Sequence, residues 1–270
     1  MMLYTVLKNI PFWGVCNMLA MERKARIKTL VMENKSVIVS YLAREFSVNE
    51  ETIRRDLKAL EKEGVLTRTY GGAFVQSGVI NDVSVSLRKT AYLENKRTIA
   101  TRCLELIRNG DSIFLDHSTT ALEIAKATAH MNITVVTNSL LVADYLAQKG
   151  EGQLILIGGV FEPKNRCFAG NAMLDALEGY YVDMAFLSCR SVDLENGVTD
   201  SAEQSAAIRR RVLRRTERSY LVADHTKFGK TSFLNICGLD ALNGIVTDET
   251  LSEAWHTEAA RLGLTILDGR

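Results

Sequence analysis

The chain has 270 residues, 47% hydrophobic and 24% charged, which supplies a core for one large domain or two ordinary ones and excludes a disordered or fibrous chain. Two prolines and no low-complexity tract exclude long disordered linkers. The formal net charge is +1, so a positive field for a polyanionic partner must be local.

Cys16, Cys103, Cys167, Cys189 and Cys237 include no C-x-x-C pair, and no histidines stand at zinc spacing beside them. They read as free, mostly buried thiols of a cytoplasmic protein, with no metal or cofactor called for. No apolar stretch approaches the ~20 residues a membrane span needs. Residues 1–20 are apolar without a helical or strand period, and Lys8 interrupts the run a signal peptide would need. They are read as an over-long start or a disordered segment, with translation beginning at Met18 or Met21, and are left out of the fold argument.

Residues 21–76 read as one unit. Residues 21–34 form a charged amphipathic helix with Ile27, Leu30 and Val31 on one face. After the apolar stretch 37–39, Ser40 is expected to cap a second helix carrying Leu42, Ala43 and Phe46. Asn49 is a second N-cap candidate, followed by Glu50 and Glu51 where the helix dipole favours negative charge. This third helix runs to Lys62, and Gly64 stands where a C-terminal glycine is expected. Residues 65–73 alternate like a short hairpin around Gly71 and Gly72. Three helices followed by a β-ribbon make a winged helix-turn-helix.

In the third helix Ile53, Leu57 and Leu60 are spaced to face the core, which leaves Thr52, Arg54, Arg55 and Lys58 outward. Side chains near the start of a recognition helix reach base edges in the major groove, and arginine binds guanine bidentately. Residues 21–76 carry eleven Lys/Arg against eight Asp/Glu, an excess that by itself marks only a solvated surface. Arg68 and Tyr70 in the ribbon are candidates for the DNA backbone or minor groove. The run Val48-Asn49-Glu50-Glu51-Thr52-Ile53-Arg54-Arg55-Asp56-Leu57, with Leu60, Glu61, Gly64 and Leu66-Thr67-Arg68-Thr69-Tyr70-Gly71-Gly72-Ala73, closely resembles the DeoR family of sugar-metabolism repressors. That family usually has serine where Asn49 stands, and asparagine caps a helix equally well. The resemblance implies double-stranded operator DNA as a partner and repression as the usual mode.

Residues 77–93 are mixed and polar and read as a linker with some helix. From residue 94 to 270, apolar runs at 113–115, 133–136, 154–157, 184–187, 221–223, 245–246 and 266–267 alternate with helical stretches near 95–108, 119–129, 140–149, 171–179, 201–216 and 250–262. This βα rhythm predicts an α/β domain with a largely parallel sheet covered on both faces. Family sensor domains look like the ribose-5-phosphate isomerase and glucosamine-6-phosphate deaminase fold, so the resemblance implies an α/β chain with an N-terminal winged helix-turn-helix and a C-terminal sensor of that kind.

Ligands of such sheets sit beyond the carboxyl ends of the strands. Polar clusters fall there: Asp116, His117, Ser118, Thr119 and Thr120 after one strand, Thr137, Asn138 and Ser139 after the next, and Gly158-Gly159 after a third. Each cluster alone reads as helix capping; together they point to a shared pocket in which hydroxyls and helix N-terminal N–H groups cradle a phosphate. The family's first cluster usually reads Asp-x-Gly-Thr-Thr, so Ser118 replaces a glycine and is expected to tighten the loop. Lys96, Glu203, Asp224 and Lys227 match further family elements, which implies a role in effector response, with Lys227 the best single candidate. Arg190 is a second anion-binding candidate. His117 either faces the ligand or is a satisfied loop histidine. The five arginines at 209–211, 214 and 215 are expected to line a solvated or subunit-facing surface. The expected partners are operator DNA, a small phosphorylated sugar-type effector and further copies of the chain, as a homodimer or homotetramer, and no membrane. A sugar-phosphate isomerase or deaminase with a DNA-binding appendage is the alternative, because Asp116, Glu203, Asp224 and Lys227 include acids and bases suited to proton transfer.

Overall fold

The computed structural model describes residues 19–69, 71–75 and 85–269. The readings made for residues 1–18, Tyr70 and 76–84 lie outside them, as does Cys16. Contacts divide the chain into two compact units after Gln76.

The first unit opens with helix α1 (Ala20–Asn34), followed by strand β1 (Ser36–Ile38), helix α2 (Val39–Glu45), helix α3 (Glu50–Lys62) and strands β2 (Thr67–Arg68) and β3 (Gly72–Phe74). β1 joins the ribbon to give a three-stranded antiparallel sheet in the order β1-β3-β2. Ile27 and Val31 of α1, Leu42 of α2 and Ile53, Leu57 and Leu60 of α3 are buried in one cluster, as their 3.6-residue spacing requires. Ser40 is not a cap: α2 begins one residue earlier and Ile38, extended, precedes it without a side-chain bond. The apolar stretch is consumed by β1 and the first residue of α2. Gly64 follows α3 with φ +70, a conformation a side chain rarely adopts.

The second unit begins, among described residues, with helix α4 (Val85–Thr90). Its Val85 and Leu87 are buried and the Val85 N–H donates to Lys164 O, so residues 85–93 are part of this unit and not linker. There follow α5 (Leu93–Cys103), β4 (Ser112–Leu115), α6 (Thr119–Thr128), β5 (Thr134–Thr137), α7 (Leu140–Lys149), β6 (Gln153–Leu156), β7 (Val160–Glu162), β8 (Cys167–Ala169), α8 (Asn171–Leu177), β9 (Val182–Leu187), β10 (Ser191–Asp193), β11 (Gly197–Asp200), α9 (Glu203–Leu213), β12 (Thr216–Val222), β13 (Leu234–Cys237), β14 (Gly244–Val246), α10 (Glu253–Leu262) and β15 (Thr265–Leu267).

All seven expected strands join one parallel sheet in the order β15-β14-β12-β9-β4-β5-β6. Alternation along β4 covers both faces: Ile113 and Leu115 pack with Ile99, Leu122 and Val142 of α5, α6 and α7, while Phe114 packs with Met173 of α8 and Ile208 of α9. Each fully buried aromatic or aliphatic side chain contributes roughly 1.5–3 kcal/mol. The chain enters the sheet at β4, moves outward through β5 and β6, then returns to the other side of β4 with β9. The topological switch therefore lies between the carboxyl ends of β4 and β9, where such folds bind ligands. A β7–β8 hairpin and an antiparallel β10-β11-β13 sheet are added to this frame.

Candidate functional site

In the first unit, Asn49 caps α3: its Oδ1 accepts from the Thr52 N–H and from Thr52 Oγ1, both at 2.8 Å. Arg54 is held on its own helix by Glu50 at 2.6 Å. Arg55 and Lys58 are exposed, and their side chains have no hydrogen bond or ion pair among the described residues. Arg68 is braced against α3, its Nε donating to Glu61 Oε2 at 2.7 Å and its backbone N–H to Oε1 at 2.9 Å. Burial works to raise the Glu61 pKa, but these bonds and the Arg68 charge bring it below the usual value. The wing is thereby fixed to the recognition helix. A second brace escaped the sequence reading: Arg23 of α1 bonds the buried Asp56 of α3 at 2.6 Å. Its signal was an acid on the face that Ile53, Leu57 and Leu60 turn to the core.

In the second unit, the polar clusters follow four adjacent strands, β12, β9, β4 and β5. Asp116 is fully buried after β4. Its Oδ1 accepts from the Ser118 N–H at 2.8 Å, and its Oδ2 from the Ser188 N–H across the switch at 3.0 Å and from Arg209 Nε at 2.9 Å. Arg209 also pairs with Asp200. The expected surface position of Arg209 is corrected here: it is 5% exposed and lies at the centre of the unit. Ser205, Arg209 and Val212 share the inward face of α9, a helical spacing that was visible in the sequence. Arg210 and Arg211 are held near the surface, by Glu203 and Glu178, and Arg215 also pairs with Glu178.

Burial would raise the Asp116 pKa, but the Arg209 charge and the N–H donors hold it far below the carboxylate range. Burial works against the Arg209 charge, which the two aspartates nonetheless stabilise, raising its pKa. His117 beside them bonds Ser205 Oγ of α9 through Nε2 at 3.0 Å and meets the amide of Asn138, after β5, at 3.4 Å, so its ring is satisfied by partners from other elements. Burial, then the Arg209 charge, push its pKa down to about 4, leaving it neutral at pH 7.

Ser118 caps the ten-residue α6 with φ −76, its Oγ accepting from the Ala121 N–H at 3.0 Å. This is ordinary extended backbone, so the serine in place of glycine neither strains nor tightens the loop. Thr119 and Thr120 are buried, and their backbone N–H groups have no acceptor among the described residues. Thr137 Oγ1 donates to Leu115 O at 2.7 Å and accepts from the Ser139 N–H at 3.0 Å, stitching the ends of β4 and β5. Ser139 in turn caps α7. Asn138 donates to Phe168 O at 2.8 Å, and its buried Oδ1 has no partner.

After β12, the buried Asp224 caps the short turn that carries His225 and Lys227. Lys227 Nζ donates to Cys189 O at 2.6 Å, next to the Ser188 that bonds Asp116. Lys96 of α5 is 5% exposed and faces Asp224, Lys227, Arg88 and Glu123; burial foremost lowers its pKa to about 7. Lys96, Asp116, Ser118, Thr119, Thr120, Thr137, Asn138, Ser139, Asp224 and Lys227 are thus gathered at the carboxyl ends of adjacent strands of the sheet.

Others are not. Glu203 is exposed and its nearest cation is Arg210 at 3.5 Å. Arg190 is half-buried, its N–H on Thr199 O. Gly158 is exposed and open around its Cα, whereas a Cβ on Gly159 would meet Ala169 O at 2.6 Å, a packing constraint. His225 Nδ1, Asp248 and Glu249 cluster within 4.8 Å, but Asp248 already accepts from His225 Nδ1 and N–H and from Asn95 Nδ2, which closes the group as a hydrogen-bond network. Cys103, Cys167 and Cys189 are buried free thiols, and burial pushes Cys189 up to about 12, so it is inert. Among the described residues no helix is long and apolar enough to cross a membrane.

A winged helix-turn-helix and a parallel α/β domain with its polar groups at the strand ends, in one chain, define a DNA-binding transcription regulator with a sensor domain. Residues 23–78 match the DeoR-like helix-turn-helix domain, and residues 92–249 match the DeoR C-terminal sensor domain. The chain belongs to the DeoR family of transcriptional regulators. It is 38% identical over 237 residues to the uncharacterized HTH-type transcriptional regulator YulB of Bacillus subtilis, covering 88% of this chain and 92% of that one. It is 31% identical to the glycerol-3-phosphate regulon repressor of Escherichia coli, covering 84% and 90%. A ribose 5-phosphate isomerase A from Methanocaldococcus jannaschii aligns over 51% of this chain and 55% of its own at 16% identity and a TM-score of 0.38. Both matched domains are regulatory and the curated relatives are named as regulators, so the chain is not an enzyme.

Proposed function

We propose that this protein represses a carbohydrate catabolic operon and leaves its operator when a phosphorylated sugar or related metabolite binds the sensor domain. The observation that carries the effector's chemistry is the pair of unpartnered N–H groups of Thr119 and Thr120 at the start of α6. A helix N-terminus with free N–H donors favours an anion, and the cations Lys96 and Lys227 stand at the same end of the sheet. Asn138 Oδ1 is a buried acceptor whose isolation costs about 1–3 kcal/mol, and a sugar hydroxyl is a donor of the right kind. Arg55, an unpaired cation of α3, reads operator bases, Lys58 of the same helix holds the DNA backbone, and Arg68 supports them from the wing. A relative named as a repressor of a glycerol-3-phosphate regulon supports the same class of effector.

The protein acts in the cytoplasm as a homodimer or homotetramer, since paired recognition helices are needed for two half-sites one helical turn apart. A panel of sugar phosphates in a thermal-shift screen tests the reading, because a ligand of the native state alone raises its melting temperature. We expect at least one hit that also dissociates the protein from its operator, with Lys227→Ala binding DNA but no longer responding. Normal release of the Lys227→Ala protein would remove this residue from the site, and a panel without hits would overturn the phosphorylated effector.

A further inference from the structure

Lys96 has an unusual set of hydrogen-bond partners for a buried ammonium. Its Nζ donates to Arg88 O at 2.6 Å and to Ala91 O, both neutral main-chain carbonyls. These carbonyls lie at the end of α4 and in the turn before α5. The turn contains Tyr92 in the left-handed region, φ 51 and ψ 41, a conformation uncommon for a bulky residue. α4 has six residues, too few to hold itself by its own hydrogen bonds. Lys96 is therefore a clasp on the C-terminal end of α4, and it draws that clasp from the first turn of α5.

The same ammonium belongs to the pocket. The charged groups that face it are Asp224 from the end of β12, Lys227 from the turn after it, Arg88 from α4 and Glu123 from α6. The turn bearing Asp224 and Lys227 also touches the start of α5 directly. The His225 ring meets the Tyr92 ring edge-on at 5.9 Å, and its partner Asp248 accepts from Asn95 at 2.6 Å. A phosphate oxygen is a stronger acceptor for an ammonium than a peptide carbonyl, since charge-assisted bonds are about twice as strong as neutral ones.

We propose that Lys96 changes partners when an anionic effector enters, leaving the carbonyls of Arg88 and Ala91 for the anion and so unclasping α4, the first described helix after the DNA-binding unit. This rests on the phosphate pocket argued above. It gives the effector a defined mechanical output: two of the three ammonium donors hold the Arg88 and Ala91 carbonyls, and an anion that draws Nζ towards itself takes it away from the end of α4. It also gives binding a proton signature. Lys96, brought down to about 7 by burial, is partly neutral above that pH, and an anion favours its charged form. Binding therefore takes up protons, and affinity falls as the pH rises above 7.

Sulfate is a suitable probe for the full-length chain because, unlike phosphate, it does not titrate near neutral pH. Hydrogen exchange of the amides of residues 85–91, with and without saturating sulfate, reads the clasp; calorimetry at pH 7.5 in two buffers of different ionisation enthalpy reads the proton. The expected result is about ten-fold faster exchange in that segment with sulfate, the equivalent of one charged hydrogen bond, together with net proton uptake. Lys96→Met should exchange fast there without sulfate and bind with no proton uptake. Lys96→Arg, which keeps the charge and cannot deprotonate, should retain the exchange response and lose the proton uptake. Sulfate binding that leaves residues 85–91 unchanged in the wild type would overturn the clasp and leave the pocket standing. Failure of sulfate and of every sugar phosphate to bind would overturn the pocket and the clasp together.

Discussion

Arg209 of α9 reaches the fully buried carboxylate of Asp116 at 2.9 Å, and Ser205, one turn earlier on the same helix, meets His117, the next residue of that loop, at 3.0 Å. Two neighbours at the end of β4 are thus gripped by two residues four apart on one helix face. Asp116 uses its remaining bonds to fix Ser118 and, across the switch, Ser188. The pair sets the backbone of the proposed anion cradle, and its weight in the fold can be measured.

Replacing Arg209 by methionine keeps the volume and strands two buried aspartates without their cation. Breaking a buried pair from one side costs about 3–5 kcal/mol, so urea unfolding of Arg209→Met should show a loss of that order. Asp116→Asn in the same chain should recover part of it, since no uncompensated charge then remains at that position. A loss below ~1 kcal/mol would show that the cation is not needed there.

The pH dependence of stability isolates His117. Its folded pKa of about 4 lies below the ordinary 6.5, so the unfolded chain binds the proton first. Its contribution is complete above pH 6.5 and is withdrawn as the pH falls towards 4, by up to about 3 kcal/mol at 1.36 kcal/mol per unit. Lys96 acts in a separate window above pH 7. His225, raised by Asp248 against the effect of burial, stabilises fully below 6.5 and loses that contribution as the pH rises, which is the opposite sign. Melting temperatures between pH 6.5 and 4 should therefore fall less steeply for His117→Gln than for the wild type.

Ser118 stabilises as a helix cap. Ser118→Ala should cost about 1 kcal/mol and Ser118→Gly only a few tenths, the ordering for N-cap positions, measured by chemical denaturation. A glycine variant markedly less stable than the alanine variant would mean that Ser118 works by fixing the backbone and not through its hydroxyl.

On the DNA face, Arg55 and Lys58 should separate by function. Arg55→Ala is expected to cost about 1–3 kcal/mol and relax sequence preference, whereas Lys58→Ala should weaken all sequences alike and reduce the salt slope by about 1. Selection from a random oligonucleotide pool followed by salt titration gives both quantities. Unchanged sequence preference in Arg55→Ala would take base reading away from that residue.

The sequence by itself determined the periodic parts of this protein. The spacing of Ile53, Leu57 and Leu60, the capping by Asn49 and the seven apolar runs each follow from one local segment burying one face, which neighbouring residues encode. The same locality put the polar clusters at the strand ends. Strands β7, β8, β10, β11 and β13 were not legible, because three- and four-residue stretches such as Ser191–Asp193 become strands only when partners from elsewhere satisfy their backbone groups. Ser40 was misjudged because pairing of β1 with β3 decides where α2 starts.

Tertiary structure alone decided which charges turn inward. Arg209, Arg210 and Arg211 are alike in sequence, yet only Arg209 finds two buried carboxylates, from the loop after β4 and the end of β11, 93 and 9 residues away. Asp56 with Arg23 and Lys96 with the end of α4 follow the same rule. A buried charge persists only where partners meet it, and those partners come from elements that share a neighbourhood only after the chain has folded.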